Sequence, residues 1–222
     1  MSRYNRLIFS VVALLVIASA GLTARADTIT IVGAGSGQSS TATIVCDFNS
    51  QTNTLTFTIT NTSAITSPGS TSTITGIGFD LPPGGNASAS GLNGFTGMQA
   101  PSLSANFTFS DGDVGNVPEG FNTTVLDFAF ITGPSGTFSG GSINDGLLPG
   151  ESASFTVSGA AFSGFTAEQI CNAVFVRFQS VPGVSSDVGT PTSVPEPSTI
   201  LLLGSALVGL GGVGRRKLRP RR

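Results

Sequence analysis

The sequence predicts an all-β fold, a β-sandwich of jelly-roll type with one short helix, barrel closure of the same strands being the alternative, and three observations carry that expectation. Runs rich in Thr, Val, Ile and Phe recur between breaks of Gly, Pro, Asn and Asp. Several of these runs alternate polar and apolar residues with the two-residue period of a half-buried strand. In Thr54–Thr60, Leu55, Phe57 and Ile59 point one way and the four threonines the other. Only one stretch carries a helix-start signal, Thr166-Ala167-Glu168-Gln169, where Thr166 and Gln169 fit a capping box.

The elements follow in order. Met1–Arg6 is basic, Leu7 to about Leu22 is apolar, and Ala24-Arg25-Ala26 puts small residues at Ala24 and Ala26, the two positions a signal peptidase reads. Residues 1–26 are therefore expected to be a signal peptide, with the mature chain beginning at Asp27. Strands are expected at Thr28–Val32, Thr41–Phe48, Thr54–Thr60, Thr73–Asp80, Ser102–Phe109, Thr124–Ile131, Ser152–Ser158 and Ala173–Gln179. The Ser/Thr-rich stretch Asn61–Thr75 reads as a long connection. Residues 27–182 form the expected β-sandwich domain, and the small, polar residues 183–193 read as a flexible stalk. Cys46 and Cys171 are the only cysteines. In an exported chain an even pair implies a disulfide, the alternative being two buried thiols.

Charge is sorted by position. All twelve acids lie between Asp27 and Glu196, where Arg177 is the single base, so residues 27–197 carry a net −11. That stretch has no Lys, His, Trp or Tyr. Electrostatic binding to nucleic acid or anionic lipid needs clustered bases and is excluded there. So is chemistry that relies on a His base or a Lys amine.

Three motifs invite function. Gly33-Ala34-Gly35-Ser36-Gly37 resembles half of a dinucleotide fingerprint, but Gln38 stands at the third glycine position and no helix pattern follows. A glycine-rich hairpin is the better reading. Asp111-Gly112-Asp113-Val114-Gly115-Asn116 followed by Glu119 supplies hard oxygens on a Gly-rich loop. Asp111, Asp113, Asn116 and Glu119 are candidate Ca²⁺ ligands, and an Asp-Gly turn without metal explains the same residues. Paired carboxylates drawn from Asp80, Asp127, Asp145 and Glu151 would suit glycoside hydrolysis, yet residues 27–197 lack the Trp or Tyr that sugar sites present. No enzymatic activity and no resident cofactor are expected.

The C-terminal end is the most specific segment. Pro195-Glu196-Pro197 precedes a 16-residue apolar stretch, 199–214, and then the basic tail 215–222. As a helix that stretch spans about 24 Å, short of a hydrocarbon core of about 30 Å. The basic tail is expected on the cytoplasmic side, which places the acidic stretch across the membrane. These three elements in this order resemble the PEP-CTERM sorting signal of Gram-negative bacteria, over residues 194–222. The resemblance implies an exosortase-type membrane transpeptidase as partner, with Pro195, Glu196 and Pro197 as its recognition element. It further implies a membrane-anchored precursor, then a cell-surface or extracellular protein in an exopolysaccharide or biofilm setting. A polysaccharide- or calcium-binding module is the alternative.

Overall fold

A computed structural model describes residues 27–64, 71–83, 91–100, 106–118, 120–122, 124–133 and 137–192. Residues 1–26, Glu119, Pro195-Glu196-Pro197, the apolar stretch 199–214 and the basic tail lie outside the described residues.

The fold is all-β. Ten strands are described: β1 (Asp27–Gly33), β2 (Gly37–Asn49), β3 (Thr54–Asn61), β4 (Thr73–Phe79), β5 (Asn93–Ala100), β6 (Phe107–Val114), β7 (Leu126–Thr132), β8 (Ser152–Ser158), β9 (Val174–Val181) and β10 (Ser185–Pro191). The helix α1 (Ala167–Cys171) begins where the capping box predicts. Thr166 Oγ1 accepts the Gln169 N–H at 3.2 Å, and Gln169 Oε1 accepts the Thr166 N–H at 2.9 Å.

The strands do not divide into the two sheets of a jelly roll. They form one antiparallel sheet in the order β5-β8-β3-β2-β1-β10-β9-β4-β7-β6. Ring contacts show how that sheet curls on itself. Phe155 of β8 and Phe130 of β7, with six strands between them in the order, have centroids 4.5 Å apart, and Phe57 of β3 meets Phe79 of β4 at 5.2 Å. Such pairs add about 0.5–1.5 kcal/mol each beyond the area they bury. The edge strands also come together, since a Cβ at Gly94 of β5 would collide with the Phe109 ring of β6. The Gly91 N–H reaches Asp111 Oδ2 at 3.0 Å across the same gap. The result is nearly a barrel with a phenylalanine-filled interior.

The alternation seen in the sequence sets the inward face. Leu55, Phe57 and Ile59 of β3 are buried, as are Ala153, Phe155 and Val157 of β8 and Ile44, Cys46 and Phe48 of β2. On β4 and β7 both faces are covered. Phe138, Val114, Val117, Leu126, Ile131 and Val188 form a second apolar cluster on the outer side of β4 and its neighbours. The connection after β7, with 3-10 turns at Phe138–Gly140 and Ile143–Asp145, lies over that side. Arg177, the lone base of residues 27–197, is buried there and donates from Nη1 to the Phe138 carbonyl at 3.0 Å.

Two strands fall where the sequence predicts none. Residues 183–193 were expected to be a stalk, but Ser185–Pro191 is β10, hydrogen-bonded between β1 and β9 in the middle of the sheet. Pro182-Gly183, with Gly183 at φ 88°, makes the tight turn from β9 into β10. β5 is the other. The Asp111–Asn116 loop also changes character. Asp111 to Val114 belongs to β6, where Gly112 and Asp113 face a single residue of β7 as a β-bulge.

Candidate functional site

The bulge is where the sequence placed its calcium ligands. Gly112 and Asp113 take positive φ, 73° and 39°, as does Asn116 at 59°. Asp111 spends its carboxylate on the Gly91 N–H, and Asp111, Asp113 and Asn116 are all exposed. Among the described residues no group of three or more His, Cys, Asp or Glu is placed to hold a metal ion. Glu119, the fourth of those candidates, lies outside the described residues.

What the bulge does bring together is a pair of carboxylates on neighbouring strands. Asp127, opposite the bulge on β7, lies near Asp80 at the end of β4 and near Asp113. Burial raises the Asp80 carboxyl above its ordinary value of 3.8. Burial also raises Asp127, the charges of Asp80 and Asp113 add to that, and the Leu81 N–H, donated to Asp127 Oδ2 at 2.7 Å, opposes it. Of the other candidate acids, Glu151 Oε2 accepts the Leu148 N–H at 2.8 Å within its own turn.

The glycine-rich segment is a hairpin turn between β1 and β2, and it encloses a carboxylate from the far end of the chain. Asp187 of β10 is fully buried. Its Oδ1 accepts the Gly35 N–H at 3.0 Å and its Oδ2 the Ser36 N–H at 2.8 Å, with the Ser36 hydroxyl also donating to Oδ2. The Val188 N–H reaches Oδ1 at 2.8 Å. Gly33 has no room for a side chain, because a Cβ there would collide with the Asp187 carboxylate. The glycines therefore serve a protein carboxylate, where a nucleotide-binding loop would serve a phosphate. Sequence reading missed Asp187 because its partners lie about 150 residues away.

Among the described residues, the outward face of β1, β2, β3 and β8 is rich in Thr and Ser. Strand register aligns Thr28, Val45, Thr58 and Ser154 in one row, and Thr30, Thr43, Thr60 and Ser152 in the next. Asp47, Thr56 and Thr156 make a third row, and Asn49, Thr54 and Ser158 a fourth. Every position but Val45, Asp47 and Asn49 is Thr or Ser. Thr58 and Ser154 hydroxyls meet at 2.7 Å, as do those of Thr60 and Ser152. The period-two threonines of residues 54–60 were the signal for this face.

Cys46 of β2 and Cys171 of α1 form a disulfide, with Cα atoms 6.1 Å apart. Among the described residues no helix is long and apolar enough to cross a membrane.

Comparison with known proteins gives one finding. The PEP-CTERM protein-sorting motif matches residues 193–217. No curated protein and no solved structure matches the chain. The motif implies an exported bacterial protein with a membrane-anchored precursor, and exosortase as its processing partner.

Proposed function

Taking the sorting motif at residues 193–217 as premise, we propose that the chain is a non-enzymatic protein of the cell surface or extracellular matrix, associated with exopolysaccharide in a Gram-negative bacterium. The motif is the observation that carries the reading. In it the signal peptide 1–26 is removed after Ala26 and the stretch 199–214 halts the chain in the membrane. Exosortase then acts at Pro195-Glu196-Pro197. Proline fixes its own φ and disfavours helix in the residue before it, which suits a substrate element that a peptidase cleft threads extended.

The domain's chemistry agrees with such a life. A disulfide suits an oxidising compartment. A net −11 over residues 27–197 opposes adsorption to nucleic acid and anionic lipid. The non-enzymatic part of the reading is supported by the absence of His and Lys from residues 27–197, which leaves only carboxylates as acid–base groups.

The test is the intact mass of the surface-exposed protein, expressed from the full-length gene in an exosortase-bearing host and in its exosortase-deficient counterpart. The expected product begins at Asp27 in both, lacks Arg222 in the first and keeps it in the second. Arg222 present in both would overturn the reading.

A further inference from the structure

We infer that signal peptidase must act before the sheet closes, because the first strand of the domain begins at the bond to be cut. This rests on the reading above for the bond, Ala26–Asp27, and on the structure for the strand.

β1 starts at Asp27, directly after the small residues Ala24 and Ala26. No residue separates the scissile bond from the sheet. Asp27, Thr28, Ile29 and Thr30 stand opposite Cys46, Val45, Ile44 and Thr43 of β2. Ile29 is buried, so lifting the start of the strand draws an apolar side chain out of the interior. A peptidase takes its substrate as an extended chain and hydrogen-bonds the backbone beside the bond it cuts. Backbone groups that already serve the β1–β2 ladder are not available to the enzyme, and a cleft that encloses one strand does not admit a sheet. Cleavage of the finished domain therefore waits for local opening of β1, and its rate is scaled down by the fraction of chains that are open.

Two ties hold β1 in place once the fold is complete. At its start, the residue opposite Asp27 is Cys46, and the disulfide to Cys171 fastens β2 to α1. At its end, Asp187 of β10 accepts the Gly35 and Ser36 N–H groups of the β1–β2 turn. β10 also pairs with β1 at Ile31, Val32 and Gly33. Neither tie exists early in export, since Cys171 and Asp187 both lie far toward the C-terminus. A β1–β2 hairpin alone is marginally stable, so the bond stays accessible until those residues arrive. Hydrolysis adds one water across it, leaving a carboxylate on Ala26 and an amine on Asp27.

The full-length precursor, made by cell-free synthesis without membranes, tests this. One portion is folded in mild detergent with its disulfide formed, and the other is reduced, unfolded in urea and diluted directly into signal peptidase. Intact mass follows the product that begins at Asp27. The unfolded portion is expected to be cut at least about tenfold faster than the folded one. A Gly-Ser-Gly-Ser spacer inserted between Ala26 and Asp27 should bring the two rates together, because it sets the bond outside the sheet. The ratio of rates is taken within each chain, so the new residues beside the bond cancel. Rapid cleavage of the folded wild-type chain at the unfolded rate would overturn the inference, as would a folded spacer chain that stays resistant. In both cases the unfolded chain still yields a product beginning at Asp27, and the signal-peptide reading stands. An unfolded chain cut at another bond, or at none, would retire that reading and the inference with it.

Discussion

Asp127 shows how single residues in this domain trade local fit against charge. Its carboxylate gains the Leu81 N–H but sits partly buried, opposite a bulge carrying Asp113 and close to Asp80. Its folded-state pKa is raised, as is that of Asp80, so both carboxyls hold protons more tightly folded than unfolded. Stability from this pair is fully present below the ordinary value of 3.8 and is lost as pH rises through the raised folded value. Asp127→Asn keeps an acceptor for Leu81 and removes the charge. The variant should melt above wild type at pH 7 and level with it at pH 3, by thermal unfolding followed in the far ultraviolet. A lower melting temperature at pH 7 would show that the Leu81 hydrogen bond outweighs repulsion and burial. Arg177 is the contrasting case, a charge kept because its guanidinium holds the Phe138 carbonyl under the outer cluster.

Among the elements, β10 and its tie to the β1–β2 turn hold the greatest leverage. Asp187→Ala would leave the N–H groups of Gly35, Ser36 and Val188 without their acceptor, the last of them buried and the first two part-buried. At about 1–3 kcal/mol for the buried Val188 donor and a fraction of that for each of the two that water can reach, the variant should lose about 2–4 kcal/mol in urea denaturation. Ser36→Ala, which deletes only the hydroxyl, should lose about 1 kcal/mol. Equal losses would mean that the turn is held by something other than this carboxylate. The same strand marks the limit of what sequence could tell. Leu55-Thr56-Phe57-Thr58-Ile59 announces β3 because its period-two pattern is written in residues of opposite polarity. Ser185-Ser186-Asp187-Val188-Gly189-Thr190-Pro191 contains one large apolar residue, so it reads as a stalk. Its burial comes from neighbours supplied by β1 and β9, and no local pattern encodes them. β5, with two glycines among its eight residues, is hidden for the same reason. The single continuous sheet, too, depends on β10, since an element unseen in the sequence is the one that joins the halves. Of the candidate site, the threonine face was visible as alternation along one strand, while its extension over β1, β2 and β8 needed the register.

Over the whole molecule, one covalent link spans most of the fold. The Cys46–Cys171 disulfide closes a loop of 125 residues between β2 and α1. In the chain-entropy account such a closure contributes up to about 4–5 kcal/mol. The Cys46→Ala/Cys171→Ala double variant should therefore unfold at clearly lower urea, and dithiothreitol should shift wild type toward the variant without moving the variant itself. A variant as stable as wild type would assign the fold's stability to the phenylalanine interior alone. The position of β10 carries a further consequence for biosynthesis. A ribosome delivers the chain from its N-terminus, so the strand at the sheet's middle is the last of the ten to emerge. A chain terminated between β9 and β10 leaves one edge of β1 and one edge of β9 unpaired. Folding thus doubles as an audit of translation: a chain that has closed its sheet has been read through Pro191, to the threshold of the sorting motif that begins at residue 193.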